Sequence, residues 1–562
     1  MSATRNGWPV AAALCLLWCV QGLTGHQPWK PDEAYSFGLV LHIFQTGDWV
    51  IPTLGGEPFM EKPPAFFITA ALFAKAFGAW LPLHDAARLA TGFYLAMTLL
   101  CIGLAARELG DRRRSHEAAL LFIACAGLFE LSHRLQTDIS LMAGVAVSLY
   151  GLALVPRGPA WAGLLLGTGV GLAFLSKGLI GPGLIGVSAA GLLAFPTWRS
   201  KNFLKACLWA VIAASPWLLI WPWLLYQQSP EQFHAWFWVN NVARFIQTDG
   251  TGLGPASEPW FYSKTLPWFA WPALPLGVWG LWTQFGSGRL SEPRTALPLT
   301  AFALMLACLA AAHDARGNYA LPLLVPAALL GHLGAIELRA FGRALWYWCA
   351  VALFGLAAVV TWVLWVLMLN DAPLGLIQKL HQTEPGFVEQ FRPLAVSVAA
   401  VLSAGWLWLV LKMRAQNPAW SWAAGMTLLW GLFSTLALPV IDYGRSYRSV
   451  MTDLAAHLPP TGCVISHGLG EPQRAMLDYY AGIKTLQLEL HPDARCSVLL
   501  IQQGYERDRM LLRKLFPPAP RPLERNEPED PSSNEWTPIW SGHRPGDDKE
   551  TYELYQRVTL KP

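Results

Sequence analysis

Thirteen apolar stretches, each about 16 to 25 residues long, recur along this 562-residue chain with short polar turns between them. They lie near 8–25, 86–106, 116–132, 138–155, 159–176, 178–196, 204–226, 267–285, 296–312, 320–337, 344–368, 393–411 and 418–440. A helix rises about 1.5 Å per residue, so runs of this length match the roughly 30 Å hydrocarbon thickness of a bilayer. A chain in lipid must satisfy its own backbone hydrogen bonds, and segments of this kind do so as helices. The pattern predicts a polytopic α-helical membrane protein of about 13 transmembrane helices. Composition agrees, with 14% charged residues against roughly 25% in soluble domains, and 29 tryptophans of the type that anchor at interfaces. The net charge of +4 is scattered in short clusters, which gives little support to nucleic-acid binding.

The basic clusters orient the spans. Arg112–Arg114, Arg199 with Lys201, Arg289 with Arg294, Arg339 with Arg343, and Lys412 with Arg414 fall in alternate turns, so all are cytoplasmic if the N-terminus is. Trp8 to Gly25 follows a weak basic flank and lacks a small-residue cleavage site, so it reads as a retained first span. Pro63 to Leu83 is also apolar, but a crossing there would invert every later loop; it is laid along the outer interface instead. Residues 1–440 then form the membrane domain, with large outer loops at 26–85 and 227–266, and 441–562 a small extracytoplasmic α/β domain. Within that tail Cys463–His467 and Cys496–Ile501 read as strands and Glu471–Ala481 as a helix, while Phe516 to about Asp548 reads as Pro-rich wrapping loop. Seven of nine cysteines sit in apolar runs; Cys463 and Cys496 remain, either as a disulfide or as two free thiols.

With this topology the ionisable groups collect at the outer mouths of the spans. They are Asp32 and Glu33, Glu61 and Lys62, His133, Arg134 and Asp138, Lys177, then Asn240, Asn241 and Arg244, then His313, Asp314, Arg316 and Tyr319. Any one alone would be an ordinary solvated loop residue. Together, acids at Asp32 and Asp138 with cations at Lys62, Arg244 and Arg316 suit an outward-facing cavity for an anionic, lipid-tethered group. Cations there can neutralise a departing phosphate while a carboxylate accepts a proton from an attacking hydroxyl. The common zinc-hydrolase, nucleotide-binding and serine-nucleophile motifs are absent, and the acids are compatible with a divalent metal without requiring one.

Three blocks occur in order: Pro31-Asp32-Glu33-Ala34-Tyr35, Thr46-Gly47-Asp48-Trp49-Val50-Ile51-Pro52, and Glu61-Lys62-Pro63-Pro64. Later come Gln136-Thr137-Asp138, Phe174-Leu175-Ser176-Lys177-Gly178, Phe237 to Phe245, Pro259-Trp260-Phe261-Tyr262, and Arg316 to Tyr319 before Leu321-Pro322. This series resembles the GT-C membrane glycosyltransferases, closest to the lipid A aminoarabinose transferases and their protein O-mannosyltransferase relatives. The resemblance implies an undecaprenyl-phosphate sugar donor, an envelope lipid, glycan or protein acceptor, inversion at the anomeric carbon, and a bacterial inner-membrane location with a periplasmic tail. It implies a catalytic carboxylate at Asp32, with Asp138 and Glu33 beside it. Lys62, Arg244, Tyr319 and Arg316 would hold the donor phosphate; Glu61, Tyr35, Asn240, Asn241 and Lys177 would orient the substrate. Two departures leave the sugar and acceptor open: Asn240-Asn241 replaces the family's Glu-His, and Tyr35 follows Glu33 by two residues rather than three.

Two other classes compete. A transporter or flippase for a lipid-linked or anionic solute would use the same cations, but it predicts charges deep in several spans, whereas these interiors are nearly free of them. A structural subunit of an envelope complex leaves the Asp32 and Lys62 blocks unexplained.

Overall fold

A computed structural model describes residues 7–110, 112–243, 260–312, 315–372, 375, 378–379, 383–412, 418–459, 463–503 and 536–558. The membrane part contains α1 (Gly7–Val20), α2 (Asp32–Thr46), a small hairpin of β1 (Thr53–Leu54) and β2 (Glu57–Pro58), α3 (Ala65–Phe77), α4 (Leu83–Glu108) and α5 (His116–Ile123). After these come α6 (Thr137–Leu154), α7 (Pro159–Lys177), α8 (Ile180–Gly191), α9 (Lys201–Gln228), α10 (Ala273–Gly286) and α11 (Pro293–Ala311). The bundle ends with α12 (Gly317–Glu337), α13 (Ala340–Leu369), α14 (Pro393–Lys412) and α15 (Pro418–Arg445).

Among the described residues nine helices are long and apolar enough to cross a membrane: α4, α6, α7, α9 and α11 to α15. Four of the thirteen expected spans fall short. Helix α1 has 14 residues, α5 only 8 before the backbone tightens into 3-10 turns, α8 has 12 and α10 has 14. Apolar length counts side chains and is blind to breaks such as the Ala126–Leu128 turn, where Gly127 packs against Phe269. Helix α3 occupies part of the stretch laid along the interface; its 13 residues reach about 20 Å, too short to cross.

The bundle closes on small residues. A Cβ on Gly144 would meet Ala173 and the Gly169 carbonyl, and one on Gly163 or Gly167 the carbonyls of Ala206 or Ala210, so α6, α7 and α9 approach almost backbone to backbone. In lipid that contact supplies the dispersion energy that water would otherwise drive. Helices α6 and α12 are the innermost, each 89% buried over its most apolar window, while α13 and α14 at 17% and 6% turn outward. The innermost helices carry Asp138 and Tyr319 at their starts.

Beyond α15 lie α16 (Arg448–His457), β3 (Val464–His467), α17 (Glu471–Ala481), β4 (Leu486–Gln487), β5 (Val498–Gln503), β6 (Trp536–Arg544) and β7 (Asp547–Arg557). Their five-stranded sheet has the order β4-β3-β5-β7-β6. Strands β3 and β5 are parallel, Val464 opposite Val498, and α17 makes the crossover; β7 returns antiparallel to β5 and β6. The hairpin corrects the expected wrapping loop over its last stretch. Pro538 masks it in sequence, but β6 is an edge strand, where a missing N–H is tolerated, and a bulge lies between Pro538 and Trp540. The disulfide Cys463–Cys496, with Cα atoms 5.2 Å apart, ties the entries of β3 and β5. The domain seats on the membrane part through α17 and α2: Gly38 admits Ala475, and the Phe37 and Tyr479 rings meet edge-on with centroids 4.7 Å apart.

Candidate active site

Helix α2 begins at Asp32, so its first turn presents Asp32, Glu33 and Tyr35 in three directions. Tyr35 is buried, stacked on Phe59 at 5.7 Å between centroids, and its phenol accepts a hydrogen bond from Lys62. The Lys62 ammonium lies 4.6 Å from the centre of that ring. Lys62 stands between the β1–β2 hairpin and Pro63-Pro64, just ahead of α3. Burial alone would favour the neutral amine, but Tyr35, Asp138 and Asp32 outweigh it and hold Lys62 charged above its ordinary value. Burial pushes Tyr35 up to about 12, so it stays a neutral phenol.

Asp32 is half-buried and makes no hydrogen bond or ion pair among the described residues, yet its charge is felt by Lys62, Tyr35 and Lys177. A second cluster faces it. Asp138, 1% exposed at the start of α6, accepts from Lys177 at the end of α7 and from Asn318 Nδ2 at 3.2 Å. The Lys177 ammonium also sits 3.9 Å from the centre of the Tyr319 ring. Four chain regions thus place Asp32, Lys62, Asp138 and Lys177 within mutual electrostatic reach at one end of the bundle, where the C-terminal sheet sits.

Other expected site residues stand apart from this cluster, several of them bracing it. Glu33 is fully buried, accepting from Arg88 Nε at 2.6 Å and from the backbone N–H groups of Leu135 and Trp29, both at 3.2 Å. Arg88 completes itself with Asp85 at 2.6 Å and the carbonyls of Leu23 and His26. Burial raises the Glu33 carboxyl, but Arg88 and then His26 overcome that and set it at about 2. Asn241 accepts from Leu179 N–H at 3.1 Å and donates to the Trp236 carbonyl at 2.9 Å, which braces the turn after Lys177. That turn needs Gly178, at φ +65° and with no room for a Cβ beside Asn241. Asn240 donates to the Ala235 carbonyl at 3.0 Å. Glu61 is exposed, Arg316 and Tyr319 are half-buried, and Arg244 lies outside the described residues.

Asn318 escaped the sequence reading. Its position beside Tyr319, a polar amide at the mouth of a span, was the available signal. Arg88 and Asp85 escaped because they lie at the start of an apolar run that hydropathy absorbs whole. Among the described residues no group of three or more histidine, cysteine or acidic side chains is placed to hold a metal ion.

Residues 61–226 match the model of the dolichyl-phosphate-mannose-protein mannosyltransferase family. The chain is 28% identical over 457 residues, 78% of each protein, to the undecaprenyl phosphate-alpha-4-amino-4-deoxy-L-arabinose arabinosyl transferase of Serratia proteamaculans. It is 27% identical over 487 residues to the enzyme so named in Pseudomonas savastanoi pv. phaseolicola, covering 84% of this chain and 85% of that one. Its fold superposes with a TM-score of 0.70 on the crystal structure of ArnT from Cupriavidus metallidurans bound to undecaprenyl phosphate, over 98% of both chains at 15% identity.

These matches are to membrane-embedded sugar transferases that use polyprenyl phosphates, and they favour a glycosyltransferase over a transporter. Along most of its length the chain is similar to the aminoarabinose transferases, and it shares the fold of one of them.

Proposed function

We propose that this protein moves a sugar from undecaprenyl phosphate to an acceptor at the periplasmic face of a bacterial inner membrane, with aminoarabinose as the sugar and lipid A as the acceptor. The donor and sugar follow from the relatives' names. The observation that carries the chemistry is the Asp32 carboxylate, without a hydrogen bond or ion pair among the described residues, within electrostatic reach of two half-buried ammonium groups, Lys62 and Lys177, each held by its own partner.

In this reading the bond between the anomeric carbon and the donor phosphate oxygen breaks as the acceptor oxygen attacks from the opposite face. The leaving polyprenyl phosphate gains negative charge. Lys62, with Tyr319, Arg316 and Arg244, neutralises it; one charge pair 4 Å apart near a protein surface is worth about 4 kcal/mol. Lys177 and Asp138 orient the sugar. Asp32 takes the proton of an acceptor hydroxyl, whereas an acceptor phosphate arrives already ionised and uses Asp32 to steer the electrophilic carbon. With the N-terminus taken as cytoplasmic and the C-terminal domain as periplasmic, an orientation that the basic clusters in alternate turns support, the site faces the periplasm.

The test is transfer by the purified full-length protein in nanodiscs, given radiolabelled undecaprenyl-phosphate aminoarabinose with lipid A, with glycan and with protein acceptors in parallel. Label in lipid A supports the reading; label only in another acceptor replaces lipid A. Folded protein that leaves all label on the donor sinks it.

A further inference from the structure

Asp32 has no side-chain partner among the described residues, so its placement rests on the backbone that carries it. That backbone is held on both sides. On one side Glu33 is locked to Arg88 of α4. On the other Lys30, two residues before Asp32, reaches across some 520 residues of sequence to the β6–β7 hairpin of the C-terminal sheet, donating to Asp547 and, at 3.3 Å, to Glu550.

Glu550 is a junction. Besides Lys30 it accepts from Arg544 Nε at 3.2 Å on β6, from Tyr447 at 3.2 Å before α16, from Tyr552 at 2.5 Å on its own strand, and from Gln473 on α17. Arg544 is 1% exposed; it also donates to Asp547 and the Gly444 carbonyl, both at 2.6 Å, and covers the Tyr447 ring. Trp29 adds a β-bridge to Ser446, and its indole donates to Asp442 at 2.8 Å. Such a carboxylate would serve as an ordinary keystone of its own domain with Arg544, Gln473 and the two tyrosines alone. Those four need no help from the membrane part. Among the described residues Lys30 is the contributor from the loop that enters α2, and it stays partly exposed while making this contact.

We propose that Glu550 and Asp547 are positioning residues for Asp32, acting through Lys30, and that the C-terminal domain thereby aims the carboxylate toward the cluster of Lys62, Asp138 and Lys177. The proposal rests on the reading of Asp32 as the catalytic carboxylate. The reasoning is geometric: a displacement of about 1 Å at a reacting group can cost about a hundredfold in rate without changing how the substrate's remote parts bind. A loop loosened at Lys30 therefore lowers kcat and spares donor KM, because the donor phosphate is held by other elements.

The experiment measures kcat and donor KM for full-length Lys30→Met, Lys30→Arg, Glu550→Gln and the Lys30→Met/Glu550→Gln pair, in nanodiscs with undecaprenyl-phosphate aminoarabinose and lipid A. Lys30→Met and Glu550→Gln are expected to lower kcat about tenfold to a hundredfold with KM within about twofold. The pair should be no worse than the poorer single variant, and Lys30→Arg should stay within about threefold of the parent, since a guanidinium can make the same contact. Parental kcat in Lys30→Met, or multiplying effects in the pair, overturns the proposal. Should Glu550→Gln fail to fold, the partly exposed Lys30 decides alone. Asp32→Asn in parallel separates the two readings: if it is inactive and Lys30→Met is not, the positioning role fails alone; if Asp32→Asn keeps the parental rate, the catalytic reading fails and takes the proposal with it.

Discussion

The Lys177 ammonium is shared between the Asp138 carboxylate, to which it donates, and the face of Tyr319, whose centre lies 3.9 Å away. Removing one charge of a buried pair typically costs about 3 to 5 kcal/mol, because the other is left uncompensated. Lys177→Met should therefore lower both thermal stability and transfer. Adding Asp138→Asn should restore most of the melting temperature but none of the transfer. Recovery of both would reduce the pair to scaffolding.

Asp32 differs in having no hydrogen-bond or ion-pair partner among the described residues. Asp32→Asn should leave the melting temperature within a degree or two and donor binding intact, while transfer falls by at least about a hundredfold. A variant that transfers at the parental rate removes Asp32 from the mechanism.

Lys62 is tied to Tyr35 and held charged. Lys62→Ala should weaken donor use about tenfold or more, seen as a raised donor KM. Tyr35→Phe, which keeps the ring under the ammonium but removes the phenol, should show a smaller rise. Equal effects of the two would point to the hydrogen bond rather than to the charge.

Glu33 gives a pH dependence whose sign can be worked out. Its carboxyl is held at about 2, below the roughly 4.3 of an unfolded glutamate. The stabilisation is complete above about pH 4.3 and is lost as the pH falls from there toward about 2. Melting temperature followed through that window should drop, and Glu33→Gln should flatten this part of the slope while destabilising the protein at pH 7. An unchanged acid slope in Glu33→Gln would assign the loss to other carboxylates.

The bridge between Cys463 and Cys496 closes a loop of 33 residues that contains β3, α17 and β4. Loops of that size are stabilised by about 2 to 4 kcal/mol. Cys463→Ser with Cys496→Ser, or reduction of the parent, should make the C-terminal sheet protease-sensitive before the membrane part. Unchanged proteolysis would leave the bridge without a stabilising role.

Much of this was legible in the order of residues. Runs such as 344–368 are apolar along their whole length, so a spanning helix is their only inexpensive state in lipid, whatever their neighbours. Asp32, Lys62, Asp138 and Lys177 stood out because a charge at the edge of such a run is costly and therefore informative. The strands around Val464 and Val498 and the helix Glu471–Ala481 followed from local periodicity.

What depends on distant partners did not. Asp32 and Glu33 are adjacent acids with nothing in sequence to separate them; only the fold leaves one facing Lys62 and seals the other against Arg88. The span count came from apolar length, and the structure shortened four segments because turns and packing decide where a helix stops. Asn318 gained meaning only when α12 brought it against Asp138. The sequence by itself determined the solvent and which charged groups stand at the edges of apolar runs, since those are properties of residue type and local order. Tertiary structure decided which charge faces which, and that the hairpin around Asp547 braces the loop before Asp32, because ion pairs joining residues hundreds of positions apart leave no local pattern to read.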